Sequence, residues 1–382
     1  MLRQVKKIFE LESVTGILLL LATLLALAIA NSSAFAIYQN IFAVNLPIGL
    51  TLRDFINDAL MAVFFFLIGL ELKEEILVGE LSTKSRAILP LIAACGGVIF
   101  PALIFYFCNF DQPQNLRGFA IPTATDIAFA YGVLCLFGKK ISKSLKVFLI
   151  SLAIFDDLVA ILIIAFFYSQ NIDFVFLTLV FVVLLGLAIL NLKKSNNLVC
   201  YLLLGAMLWL MILKSGIHPT LAGIALAMFI PHKKDSFKKL IKKIAPAVNF
   251  LILPIFAFAS SGVRIENFST EVFTKPLVLG IILGLFFGKQ IGVMLFSFIA
   301  IKSGVAKLPS KSWLEFYGVT ILTGIGFTMS FFIGSLAFLN DPLLLDWVKI
   351  AVLSASFLAA IFGILVISLT IKKTNEKSIS PT

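Results

Sequence analysis

The sequence is poor in charge, in histidine and in cysteine. Only 13% of its 382 residues are charged and two are histidine, against 60% hydrophobic, whereas soluble domains carry about 25% charged residues. With a mean hydropathy of +1.07 and 39 phenylalanines, these shortages exclude a cytosolic enzyme and a disordered chain. The four cysteines, Cys95, Cys108, Cys135 and Cys200, lie in apolar stretches without metal-ligand spacing. That placement excludes a disulfide scaffold or metal site and reads as small core residues. What remains is an all-α polytopic membrane protein, a single integral domain over residues 1–382.

Cut at its charged and turn-rich breaks, the chain leaves about twelve apolar segments near the ~20 residues that a spanning helix needs. They fall at 13–30, 58–72, 87–107, 119–137, 145–168, 173–191, 198–213, 216–230, 246–262, 276–300, 315–339 and 347–370. The first ends in Ala28-Ile29-Ala30 like a signal peptide, but its apolar run is too long for one and further spans follow. With the N-terminus inside, inner loops carry 24 of the 31 basic residues and outer loops six, leaving Lys289 within a span. Both termini are therefore expected in the cytoplasm. The net charge of +11 expresses this topology and points to no nucleic acid. The basic run from His232 to Lys243 reads as a cytoplasmic loop against anionic membrane lipids, and Phe64-Phe65-Phe66 reads as lipid-facing. In the outer loop from Asn31 to Asn57, the stretch Phe42 to Leu52 around Pro47-Ile48-Gly49 predicts a short hairpin.

An ionised side chain at mid-bilayer costs at least ~2.5–3.5 kcal/mol on insertion scales, so each one needs a reason. Four stand out: Asp126, Asp156, Asp157 and Lys289. Three acids against one base leave a negative balance that suits a cation or exchangeable protons. Asp156 and Asp157 are adjacent on the fifth span, so their side chains diverge by about 100° around the helix and their titrations couple. Lys289, in Gly288-Lys289-Gln290 on the tenth span, fits either a structural counter-ion to Asp156 or a proton carrier.

Two spans carry interruptions. Pro122, just ahead of Thr125-Asp126, removes a donor and breaks the fourth span; Gly324 and Gly326 weaken the eleventh at Thr323-Gly324-Ile325-Gly326-Phe327-Thr328. Broken helices are tolerated within a membrane only around a protein-lined or wet cavity, where Asp126 would neutralise a helix N-terminus. The two broken spans must run in opposite directions, which is the mark of an inverted repeat with halves near 87–168 and 276–370.

From first span to last the chain resembles the NhaA family of bacterial sodium/proton antiporters. The resemblance rests on Asn57-Asp58-Ala59-Leu60-Met61-Ala62-Val63-Phe64-Phe65, Gly69-Leu70-Glu71, Ala124-Thr125-Asp126-Ile127-Ala128-Phe129-Ala130, Asp156-Asp157, Gly288-Lys289 and Gly324-Ile325-Gly326-Phe327-Thr328-Met329-Ser330. It implies that spans 4 and 11 are discontinuous and cross, and that Asp156 and Asp157 bind Na+ or H+. It also implies that Thr125, Asp126 and Lys289 compensate charge and helix ends, and that Gly324 and Gly326 lie in the unwound segment. The expected activity is electrogenic exchange of internal Na+ or Li+ for external H+, without a cofactor, in the inner membrane. A homodimer through the outer hairpin, shorter here, is also implied.

Asp58, Glu71 and Glu75 match family positions linked to cytoplasmic access or pH regulation. However, Glu74 replaces a usual arginine, and Ile241, Lys242 and Ala245 stand where acidic residues and histidine are typical. Loss of histidine there predicts a shallow pH profile, with Lys242 and Lys243 as partners for the glutamates. His218 matches a family histidine but reads as a packing residue with no direct part in ion binding. A sodium-coupled symporter of the same architecture is the nearest alternative. An intramembrane aspartyl protease is the alternative from another class, but Lys289 and the third acid have no work in its chemistry.

Overall fold

The computed structural model describes residues 2–47, 49–169, 172–232, 234–264, 270–339 and 341–379. In chain order its main helices are α1 (Leu2–Ala30), α2 (Phe35–Phe42), α3 (Leu52–Leu77), α4 (Lys84–Asn109), α5 (Ile127–Cys135), α6 (Lys143–Phe167), α7 (Phe174–Leu192), α8 (Leu198–Ser215), α9 (Leu221–Phe229), α10 (Ser236–Ser261), α11 (Pro276–Lys302), α12 (Trp313–Leu322), α13 (Phe327–Ala337) and α14 (Pro342–Ile379). Among the described residues the only β pairing is an isolated bridge between Asn45 and Thr51. It sits where the hairpin is expected, although Phe35–Phe42 in the same outer loop is helical.

Nine helices are long and apolar enough to cross a membrane, and counting each sharply bent pair as one span raises the number to eleven among the described residues. The protein is thus an all-α polytopic membrane protein, with fewer full-length spans than the twelve apolar segments. The shortfall has a local cause. The expected eighth span is only the nine-residue α9, preceded by Gly216 at φ 81° and a turn through Pro219. Side-chain caps start α7 and α8: Asp173 accepts from Val175 N at 2.8 Å, and Asn197 from Val199 N at 3.1 Å. These oxygens satisfy N–H groups that a helix start leaves unpaired.

Two compact units divide the chain. The first comprises Met1–Leu27, Thr83–Ala160 and Ser260–Thr382. Within it α4 packs closely on α11, because Gly96 and Gly292 face each other with no side chain between; a Cβ on either would meet the other's backbone. Such small-residue contacts let membrane helices approach to backbone distance.

The second unit comprises Ala28–Ser82 and Ile161–Ala259. Its core gathers Phe66, Leu70, Leu187, Leu208, Leu226 and Phe237, among others, with α9 laid against α3. Phe64, Phe65 and Phe66 are all buried, which corrects the expectation that they face lipid. Their ring area is better used between helices of one unit than against lipid, which offers a phenylalanine nothing its neighbours do not. The basic run also differs from expectation. Lys234–Ala247 is helical, with Phe237 and Leu240 buried and Lys238, Lys239, Lys242 and Lys243 exposed, so it is an amphipathic helix and no simple loop. Finally, Cys95 is exposed and Cys108, Cys135 and Cys200 are half-buried without a disulfide, so the cysteines are not the core residues expected of them.

Candidate ion-binding site

The two interruptions meet inside the first unit. Leu116–Thr123 forms a 3-10 helix containing Pro122, Ala124 turns extended, and α5 begins only after Asp126. In the later segment α12 ends at Leu322 and α13 starts at Phe327, bent by 43° across the break. Every break of this kind frees backbone groups that must find partners, and here each segment supplies them to the other. Asp126 N donates to Ile325 O at 2.7 Å, and Ser330 Oγ donates to Ile121 O at 2.7 Å. Asp126 Oδ1 accepts from Phe129 N at 3.0 Å, capping α5. Its Oδ2 accepts from Thr328 N at 3.0 Å and from the Thr328 hydroxyl, closing the start of α13. One carboxylate therefore serves two helix N-termini, where the backbone dipole favours negative charge.

Asp156 lies on α6 with its side chain fully buried, and its Oδ2 receives Lys289 Nζ in an ion pair whose partner is equally buried. Thr125 Oγ1 stands 2.7 Å from the same oxygen and 2.9 Å from the Thr323 carbonyl. Its single proton is shared between the two acceptors or alternates. The other carboxylate oxygen of Asp156 accepts no hydrogen bond among the described residues. Asp157 is 3% exposed. Gly324 and Gly326 occupy the break itself. Among the described residues no three His, Cys, Asp or Glu side chains are gathered as a metal cluster. The Asp156 carboxylate, the Thr125 hydroxyl and the Thr323 carbonyl bring hard oxygen donors together, the donor type that suits a hard cation.

The remaining expected residues lie in the second unit. Asp58 sits in a wide helical turn, Ile56–Leu60, at the start of α3. Its backbone carbonyl accepts from Trp209 Nε1 at 3.2 Å, and its Oδ1 is 3.8 Å from His218 Nε2. His218 Nδ1 is also 3.0 Å from Thr220 Oγ1, consistent with a packed residue, though its approach to Asp58 has no signal in sequence. Glu71 and Glu75 lie on α3 on either side of Glu74. Glu74 meets His232 Nε2 at 2.7 Å and Lys238 Nζ at 3.1 Å, while Lys73 donates to the carbonyls of Met228 and Ile230 at 2.6 and 2.7 Å. Lys242 and Lys243 are exposed, and it is Lys238 that pairs with Glu74. The helical turn of Lys234–Ala247 presents Lys238 to Glu74 and directs the later lysines elsewhere. Sequence reading placed histidine loss at this cluster but overlooked His232, which arrives from the end of α9.

The profile of the family described as Na+/H+ antiporter 1 matches residues 6–367. Antiporters named Na+/H+ antiporter NhaA are similar along nearly all of their lengths. The protein from Pelagibacter ubique is 48% identical over 381 residues, covering 96% of this chain and 98% of that protein. One from Pseudomonas savastanoi is 49% identical over 363 residues, 93% of each, and one from Campylobacter jejuni subsp. doylei is 47% identical over 374 residues, 95% and 98% respectively. By this match along nearly all of its length, the chain belongs to the Na+/H+ antiporter 1 family.

Proposed function

We infer that this protein is a secondary Na+/H+ antiporter whose transport site is the buried cluster of Asp156, Asp157, Thr125 and Lys289. The single observation that carries the reading is that Asp156 Oδ2 is already claimed by Lys289 and Thr125 while its other oxygen accepts no hydrogen bond among the described residues. An anionic site occupied by a movable internal cation is one that Na+ enters by displacing the lysine, and that protons empty by neutralising the acids. Alternating access then needs the site to face each side in turn, with binding to one state favoured over the other. Asp126 keeps the two helix starts closed throughout and binds no ion itself.

The finer expectations extend this reading. Li+, with the same charge and oxygen preference, is a further substrate, and unequal charge exchange makes transport electrogenic. The inverted repeat over 87–168 and 276–370 would place the broken segments crossing near mid-membrane. Basic-residue placement supports an inner-membrane protein with cytoplasmic termini. The short outer hairpin offers the homodimer contact, and lysines on the amphipathic start of α10 would lie against anionic lipids.

The test is dissipation of an imposed pH gradient in proteoliposomes on adding Na+ or Li+, with and without a potassium–valinomycin clamp. Na+-driven loss of the gradient that speeds up under the clamp supports electrogenic exchange. Proton movement in the same direction as Na+ would indicate a symporter, and no ion-driven change would remove the transport reading.

A further inference from the structure

Lys289 is restrained by more than Asp156. The next residue on α11, Gln290, is 6% exposed. Its Oε1 accepts a hydrogen bond from the Tyr317 hydroxyl at 2.7 Å, and its Nε2 has no partner among the described residues. Tyr317 belongs to α12, the half-helix that ends in the break, and Thr323 at that break offers its carbonyl to Thr125. The contacts close a ring. It runs from Lys289 to Asp156, from Asp156 to Thr125, and from Thr125 to the Thr323 carbonyl; it then follows α12 back to Tyr317, crosses to Gln290 and returns to Lys289 along the chain.

The link through Tyr317 matters because α11 is not a regular helix here. A wide turn, Gly284–Gly288, ends immediately before Lys289, and helices kink at such turns. Successive residues diverge by about 100° around a helix, so Gln290 does not reach for Asp156 beside Lys289. Its bond to Tyr317 ties α11 to α12 one residue beyond the ammonium-bearing lysine. A buried amide with one end unsatisfied takes its orientation from its one remaining bond, and that bond comes from Tyr317.

We propose that Gln290 and Tyr317 are positioning residues that hold Lys289 on Asp156 in the cation-free site and so set the apparent affinity for Na+. The proposal rests on the exchange reading above, in which lysine and Na+ compete for one carboxylate. Whatever favours the lysine-engaged state lowers apparent Na+ affinity, and breaking the pair raises it.

Two variants test this in proteoliposomes at fixed pH: Tyr317→Phe, which removes one oxygen atom, and Gln290→Leu, which removes the amide at similar volume. Each is expected to lower the apparent KM for Na+ about three- to tenfold, the range of one net hydrogen bond, with a smaller fall in maximal rate. The double variant should go no further than the stronger single one, since both cut the same link. A KM that stays or rises while thermal stability drops would show mere packing and overturn the proposal, as would additive effects in the double variant. If Gln290→Leu does not fold, Tyr317→Phe alone decides. Absence of Na+-driven proton movement in the unmodified protein would sink the exchange reading instead, so the two failures are distinguishable.

Discussion

Lys289→Ala is the sharpest perturbation of the site. It removes the counter-ion of a pair whose two side chains are both fully buried, and leaves the Asp156 carboxylate with only the Thr125 hydroxyl on the oxygen they shared. Breaking a buried pair from one side costs ~3–5 kcal/mol, because the remaining charge is uncompensated. The cost is limited by protonation, since Asp156 can escape it by taking up a proton. The destabilisation should accordingly be fullest at alkaline pH, where the unfolded chain keeps the carboxylate ionised, and should shrink as pH falls and the acid is neutral in both states.

A second part of the loss is independent of pH. The lysine stem packs beside Gly97, where a Cβ would stand 3.6 Å from Lys289 Cδ, so truncation leaves a gap between α4 and α11. At ~1–2 °C per kcal/mol for a chain of 382 residues, the melting temperature of the purified protein should fall on the order of 5 °C near pH ~9 and by less near pH ~5. Lys289→Arg, which keeps the charge, should retain substantial transport. Asp156→Asn combined with Lys289→Met should recover stability without recovering transport, because no buried charge is then stranded. The assay is thermal unfolding across pH, paired with Na+-dependent proton release. A Lys289→Ala protein that melts with the unmodified one at both pH values, or a double variant no more stable than the single, would refute the ion-pair reasoning. Full stability with electrogenicity lost would identify the lysine as a proton carrier.

Asp156→Asn and Asp157→Asn are each expected to abolish exchange while leaving membrane insertion intact; wild-type rates from both would remove the carboxylates from the transport site. Asp126→Ala loses the caps of two helices, at ~1 kcal/mol or more each, and should lower both stability and apparent Na+ affinity, an outcome that an unchanged KM and melting curve would contradict. At saturating Na+ the rate should change only shallowly above neutral pH, because the titrating acids lie in the site. A several-hundredfold rise within about one pH unit, abolished by Glu74→Gln or His232→Ala, would instead locate a histidine-based switch at their contact.

The helical architecture was legible in composition. A low-charge chain in lipid must satisfy its backbone internally, and helices do this within a segment, so apolar runs alone determine where α4, α6, α7 and α8 form. The breaks were legible too, because Pro122 and the pair Gly324 and Gly326 weaken a helix wherever it is placed. Asp126, Asp156, Asp157 and Lys289 announced themselves by the cost of burying them. Partner choice was not legible, because it depends on which segments distant in the chain are brought to hydrogen-bond distance. The Lys289–Asp156 pair was expected as one of two roles for the lysine, but nothing local says that Asp126 caps α13 as well as α5, or that Glu74 meets His232 and Lys238. Hydropathy likewise could not turn Phe64–Phe66 inward, since lipid and protein interior are equally apolar and only packing distinguishes them. Local chemistry decides that a helix forms, breaks or carries a charge. The tertiary structure alone decides which oxygen that charge meets, because hydrogen bonds and ion pairs depend on distances that hundreds of intervening residues set.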